Sequence, residues 1–144
     1  MSRLRVSSLV LLSLVLCVAL TGCFEPKPLP QPTRVNAPEG GVLAMFKVEG
    51  ETFIVHVTDE KVIKALFDLK EGRGRATVPN GKVVRGRQYD RWSWHLEELE
   101  LIRVAEEVCD GKPSMVEEDL GNWVDTVGRF CPRSAELVRL EDYR

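Results

Sequence analysis

His95, in the run Trp92-Ser93-Trp94-His95-Leu96-Glu97-Glu98, is the side chain of this sequence best suited to move a proton near neutral pH. A catalytic reading makes it a general base oriented by Glu107 or Asp110 from an adjoining strand. No Ser, Cys or Lys nucleophile stands in an elbow or comparable activating motif. The favoured reading is therefore a histidine that hydrogen-bonds a carboxylate and fixes strand pairing. Two cysteines and two scattered histidines do not make a zinc spacing, the Glu-Glu pairs lack calcium-loop spacing, and no Gly-rich phosphate loop precedes a helix. The expectation is no metal and no cofactor. Trp92, Trp94 and Trp123 offer aromatic faces for a sugar or peptide, although in a small domain such residues more often form the core.

Charge is segregated along the chain. Residues 70–91 carry Lys70, Arg73, Arg75, Lys82, Arg85, Arg87 and Arg91 against Glu71 and Asp90, a net charge of +5. Residues 97–125 then hold ten acids against Arg103 and Lys112. Arg73, Arg75, Lys82, Arg85, Arg87 and Arg91 are thus candidates for a basic contact face. The plainer expectation is that the two segments neutralise each other across neighbouring strands. A nucleic-acid partner is not expected, since the chain is acidic overall, at −2, and only Tyr89 interleaves the basic cluster.

The elements that position these residues begin after an export signal. Arg3 and Arg5 form a positive start, and Val6 to Ala19 form an apolar run of 14 residues, too short to span a bilayer. It closes in Leu20-Thr21-Gly22-Cys23, which resembles the lipobox of bacterial lipoproteins. Residues 1–22 are read as a signal peptide and Cys23 as a lipidation site that anchors the chain to a membrane. Phe24, rather than Asp, follows that cysteine, which by resemblance to enterobacterial sorting favours an outer membrane where the organism has one. The remaining 122 residues hold 18 basic and 22 acidic side chains, a net charge of −4. Residues 23–41 carry five prolines and end in Gly40-Gly41, so they read as an extended tether that reaches about 50 Å at roughly 3 Å per residue.

Residues 42–144 are expected to form one small α+β domain: a mostly antiparallel sheet, two helices and a disulfide. Alternation places Phe46 and Val48, then Phe53, Val55 and Val57, in a hairpin turning at Glu49-Gly50. Asp59 or Thr58 caps a helix over 59–71 whose Val62, Ile63, Leu66 and Phe67 share a face. Asn80-Gly81 predicts the turn of a second hairpin. Trp92–Leu96 and Ile102–Cys109 read as strands, with a helix over Leu99–Val108 as the alternative to the latter. Ser114 and Glu117 have capping-box spacing at the head of a second helix reaching about Val127, and 137–142 form a last strand. Cys109 and Cys131 remain as an even pair in an exported chain, so a disulfide is expected, with free thiols or a shared metal as the alternatives.

Trp92-Ser93-Trp94-His95-Leu96, Glu107-Val108-Cys109-Asp110 with Pro113-Ser114 and Val116, and Cys131-Pro132 together resemble a family of small exported bacterial proteins. These are related to the N-terminal domain of a slime-mould protein described as calmodulin-binding. The likeness spans roughly residues 44–142. It implies a common domain with a disulfide, and the calmodulin binding of that relative is carried to no residue here. Phe130 stands where the family usually has Trp, and Arg133 where it has an aromatic. The sequence is accordingly read as a lipid-anchored envelope binding module, as an inhibitor or accessory subunit, whose partner is a protein or envelope polymer. An envelope enzyme using His95 with Glu107 or Asp110 is the alternative.

Overall fold

A computed structural model describes residues 37–144; the signal, Cys23 and most of the tether lie outside the described residues. Six strands form two three-stranded antiparallel sheets. The first is ordered β2-β1-β6, from β1 (Val42–Val48), β2 (Glu51–Val57) and β6 (Glu136–Asp142). The second is ordered β4-β3-β5, from β3 (Val78–Arg85), β4 (Trp94–Ile102) and β5 (Arg129–Phe130). Helices α1 (Glu60–Lys70), α2 (Pro113–Glu118) and α3 (Leu120–Asn122) complete an α+β domain with one disulfide.

The β1–β2 hairpin follows its alternation. Val42, Ala44, Phe46 and Val48 are buried, as are Phe53, Val55 and Val57, and the register pairs Phe46 with Phe53. Glu49 and Gly50 both take positive φ, +47° and +87°, which gives the tight turn the twist that matches its strands. In α1, the Asp59 carboxylate accepts from the amides of Lys61 and Val62 while Ile63 and Leu66 enter the core. The last strand occurs as β6 and pairs with β1, with an extra residue, Val138, between the partners of Met45 and Phe46.

Three expectations are corrected. Asn80-Gly81 is no hairpin turn: both lie inside β3, and the β3–β4 connection is residues 86–93. Gly81 is required there for space. A β-carbon on it would sit 2.9 Å from Cβ of Leu96, beside a bulge in β4 where Glu98 adopts φ +49°. Asn80 is used for its side chain, which accepts from Nε of Arg129 at 2.9 Å. Ile102–Cys109 is not a strand either. Ile102 already pairs with Val78, the first residue of β3, so no ladder remains, and the chain leaves the sheet to form a 3-10 turn at Glu107–Cys109. Finally, the predicted capping box is not made. Lys112 precedes the helix, Pro113 takes its first position, the Ser114 amide donates to Glu51 at 2.8 Å, and Glu117 accepts from Ser93 instead. This second helix also breaks at Asp119 (φ −135°) and ends in a π-type turn over Trp123–Val127, which carries Trp123 into the core.

Phe130 joins the two layers. Its ring is fully buried and meets Phe53 of β2, Trp94 of β4 and Trp123 edge-on, with centroids 5.5–5.7 Å apart. The next residue, Cys131, is bonded to Cys109 with Cα atoms 5.1 Å apart. Its amide also donates to the Cys109 carbonyl at 2.7 Å.

Gly81→Ala is expected to cost about 1–3 kcal/mol by overpacking. Cys109→Ser/Cys131→Ser should cost about 3 kcal/mol, the chain-entropy value for a loop of this length. Urea unfolding midpoints measure both.

Candidate functional site

His95 lies on the outward side of β4, opposite the buried faces of Trp94 and Leu96, with its side chain only 10% exposed. Its Nδ1 is 2.7 Å from the Gly86 carbonyl, an acceptor, so that nitrogen donates. Nε2 faces Glu97 at 3.3 Å. Through Nδ1 the ring ties β4 to Gly86, the first residue of the β3–β4 connection. Among the described residues, no hydrogen bond joins His95 to Glu107 or Asp110. Asp110 is engaged elsewhere, accepting from the amide and Nε of Arg133 at 2.8 and 2.6 Å and from the Gly111 amide. Burial pushes its carboxyl up, but these bonds and the Arg133 charge together hold it below the usual range. Arg133 thus clamps the chain beside the disulfide.

The three tryptophans are core rather than platform. Trp92, Trp94 and Trp123 are 6%, 2% and 7% exposed. Among the described residues, no three His, Cys, Asp or Glu side chains converge as a metal site would need.

The basic segment is largely used within the fold. Arg85 bonds Asp125 through both terminal nitrogens at 2.9 and 3.3 Å, and Lys82 lies 3.9 Å from Glu98, so basic and acidic segments do meet. Arg73 pairs with Asp68 and Glu71, and Arg91 lies over the Trp92 ring at 4.3 Å. Arg75 and Arg87 make no ion pair among the described residues.

Asp90, which in the sequence is one acid among many, anchors the 86–93 connection. One carboxylate oxygen accepts from the Ile54 amide at 2.8 Å, on the free edge of β2, and the other from the Trp92 amide at 3.0 Å. The Trp92 indole completes the clamp by donating to the Thr52 carbonyl at 2.9 Å. The spacing Asp-x-Trp, an Asx turn, is the local signal for it. Burial lifts its pKa above 3.8, against the pull of the two amides and of Arg87 and Arg91.

Exposed apolar surface gathers elsewhere. Val104 and Val108 are 84% and 62% exposed, two of the three large exposed hydrophobics among the described residues. They flank Ala105 and precede Cys109, which are buried with Cys131 against Val78, Ile102 and Val127. The loop Arg103–Cys109 is therefore pinned from beneath while its valines face water. Beside it runs a groove over Ala76, Thr77 and Ala135, bounded by Val104 at one end and Leu69 and Leu137 at the other.

A family model described as the BP-74 N-terminal domain matches residues 41–144. The chain belongs to this family. No curated protein and no solved structure matches it. The match begins one residue before β1 and takes in both sheets, the disulfide and the Arg103–Cys109 loop, so the family's N-terminal domain coincides with the folded unit. It agrees with the resemblance drawn from the Trp92–Leu96, Glu107–Asp110 and Cys131-Pro132 motifs.

Asp90→Asn turns one acceptor into a donor facing a backbone amide and should cost about 1–3 kcal/mol. Because folding raises the pKa of Asp90, its stabilising contribution is present below the unfolded value and lost as pH rises through the folded one. The stability difference between the wild type and Asp90→Asn should accordingly shrink as pH rises from below 3.8, measured by urea unfolding across the acidic range.

Proposed function

We propose that the chain is a lipid-anchored envelope interaction module, held at Cys23 on the residue 23–41 tether, that grips its partner through the loop Arg103–Cys109. The observation that supports it is the exposure of Val104 and Val108 on a loop whose Ala105 and Cys109 are buried. Such a loop has little conformational freedom left to lose, so apolar burial on binding is not offset by ordering. Two exposed valines on a rigid support also supply apolar area that a partner can remove from water. An inhibitor or accessory subunit acts in this way, by presenting a fixed surface rather than by reacting. The enzyme alternative gains no geometric support, since His95 is engaged by Gly86 and Glu97 while Asp110 is engaged by Arg133.

The full chain, tagged after Arg144 and cross-linked on its own cells, should recover a dominant partner identifiable by mass spectrometry. Val104→Asp/Val108→Asp should cut that recovery by about tenfold or more, because an apolar contact would have to bury unpaired charge, while thermal melting stays unchanged. Undiminished recovery would refute the loop as the contact. His95→Ala should leave recovery intact. Labelling with radioactive palmitate should mark the wild type and not Cys23→Ser.

A further inference from the structure

The groove beside the loop has a chemistry of its own, and an inference about its occupant rests on the interaction-module reading. Ala76, Thr77 and Ala135 line both of its halves, so its floor is open and built of short side chains, two of them apolar. Its charged borders are mainly cationic: Arg103 and Arg133 stand at the Val104 end and Lys70 at the other, against the single acid Glu136. Arg133 is already shared with Asp110. Arg103 has no ion-pair partner among the described residues, and Lys70 is met by a neutral acceptor, the Val138 carbonyl, at 2.7 Å. Arg103 and Lys70, neither of them in an ion pair among the described residues, outnumber Glu136 on this groove, a local excess of positive charge that favours carboxylates.

We infer that this groove binds an extended, acidic polypeptide segment of small side chains. A sugar is a poorer fit, because all three tryptophans are buried and offer no stacking face. Simple strand addition to β6 is disfavoured as well. Val138 is the bulged residue of that strand, and its carbonyl is taken by Lys70, two devices that blunt a sheet edge. The occupant is held instead by its side chains, with apolar ones on the alanine floor and carboxylates towards Arg103 and Lys70.

The test titrates the full chain, in detergent, into three fluorescein-labelled decapeptides in which Ala alternates with Glu, Lys or Gln. The Ala/Glu peptide should bind about tenfold more tightly than the Ala/Gln peptide, and the Ala/Lys peptide most weakly. Arg103→Glu, at an exposed and unpaired position, should abolish that preference without altering thermal melting. Equal binding of all three peptides, or an Ala/Glu preference that survives Arg103→Glu, would overturn the inference. A concentration-dependent dimer in light scattering that Arg103→Glu dissolves would assign the groove to a second copy and overturn it too. Its failure is separable from that of the module reading, which stands or falls on the Val104→Asp/Val108→Asp recovery.

Discussion

The position of Phe130 constrains everything else in this domain. A six-strand chain of this size makes two small sheets, neither of which can bury its inner face alone. Phe130 touches the inner aromatics of both, Phe53 from one and Trp94 from the other, and Trp123 closes over it. Yet its strand, β5, is only two residues long and contributes too few ladder bonds to hold the ring in place. Two features compensate. The disulfide at the adjacent Cys131 fixes the backbone covalently, and Gly81, directly opposite Phe130 in the register, leaves space for the approach of Leu96 from β4. A short strand is thus located by its neighbours rather than by its own pairing.

Much of this was legible in the sequence where one local pattern dominates. The β1–β2 alternation, the Asp59 cap of α1, the cysteine pair and the last strand all follow from short-range rules, and the structure agrees with each. What misled was a local rule overruled at long range. Asn80-Gly81 has the composition of a turn, but the glycine answers to Leu96 across the sheet and the asparagine to Arg129. Val104 and Val108 continue an apolar pattern, but no partner is left for them beyond Val78, where β3 begins opposite Ile102, so the pattern describes exposed residues. The second helix breaks at Asp119 and ends in a π-type turn from which Trp123 meets Phe130, a change of phase that its apolar spacing does not announce.

For the candidate surface the same limit applies. Charge segregation was visible, but which cations stay unpaired was not, because the pairs Arg85–Asp125 and Lys82–Glu98 are set by how β3 lies against β4 and the turn after α3. Among the basic residues of 70–91, the fold consumes Arg73, Lys82 and Arg85 in ion pairs. It then brings Lys70 to one groove with Arg103, a residue of the acidic segment that sequence position alone would not have grouped with it.

The acids have a common use that their net charge conceals. Asp90 accepts from the amides of Ile54 and Trp92, Glu51 from that of Ser114, Glu117 from that of Ser93, and Asp110 from those of Gly111 and Arg133. Each satisfies a backbone donor that no ladder or helix serves, at a strand edge, a helix start or a loop. Two small sheets have proportionally many such donors, and a carboxylate satisfies them at greater strength than a neutral acceptor. The acidic surplus is therefore partly structural, a way of finishing edges that short strands leave open.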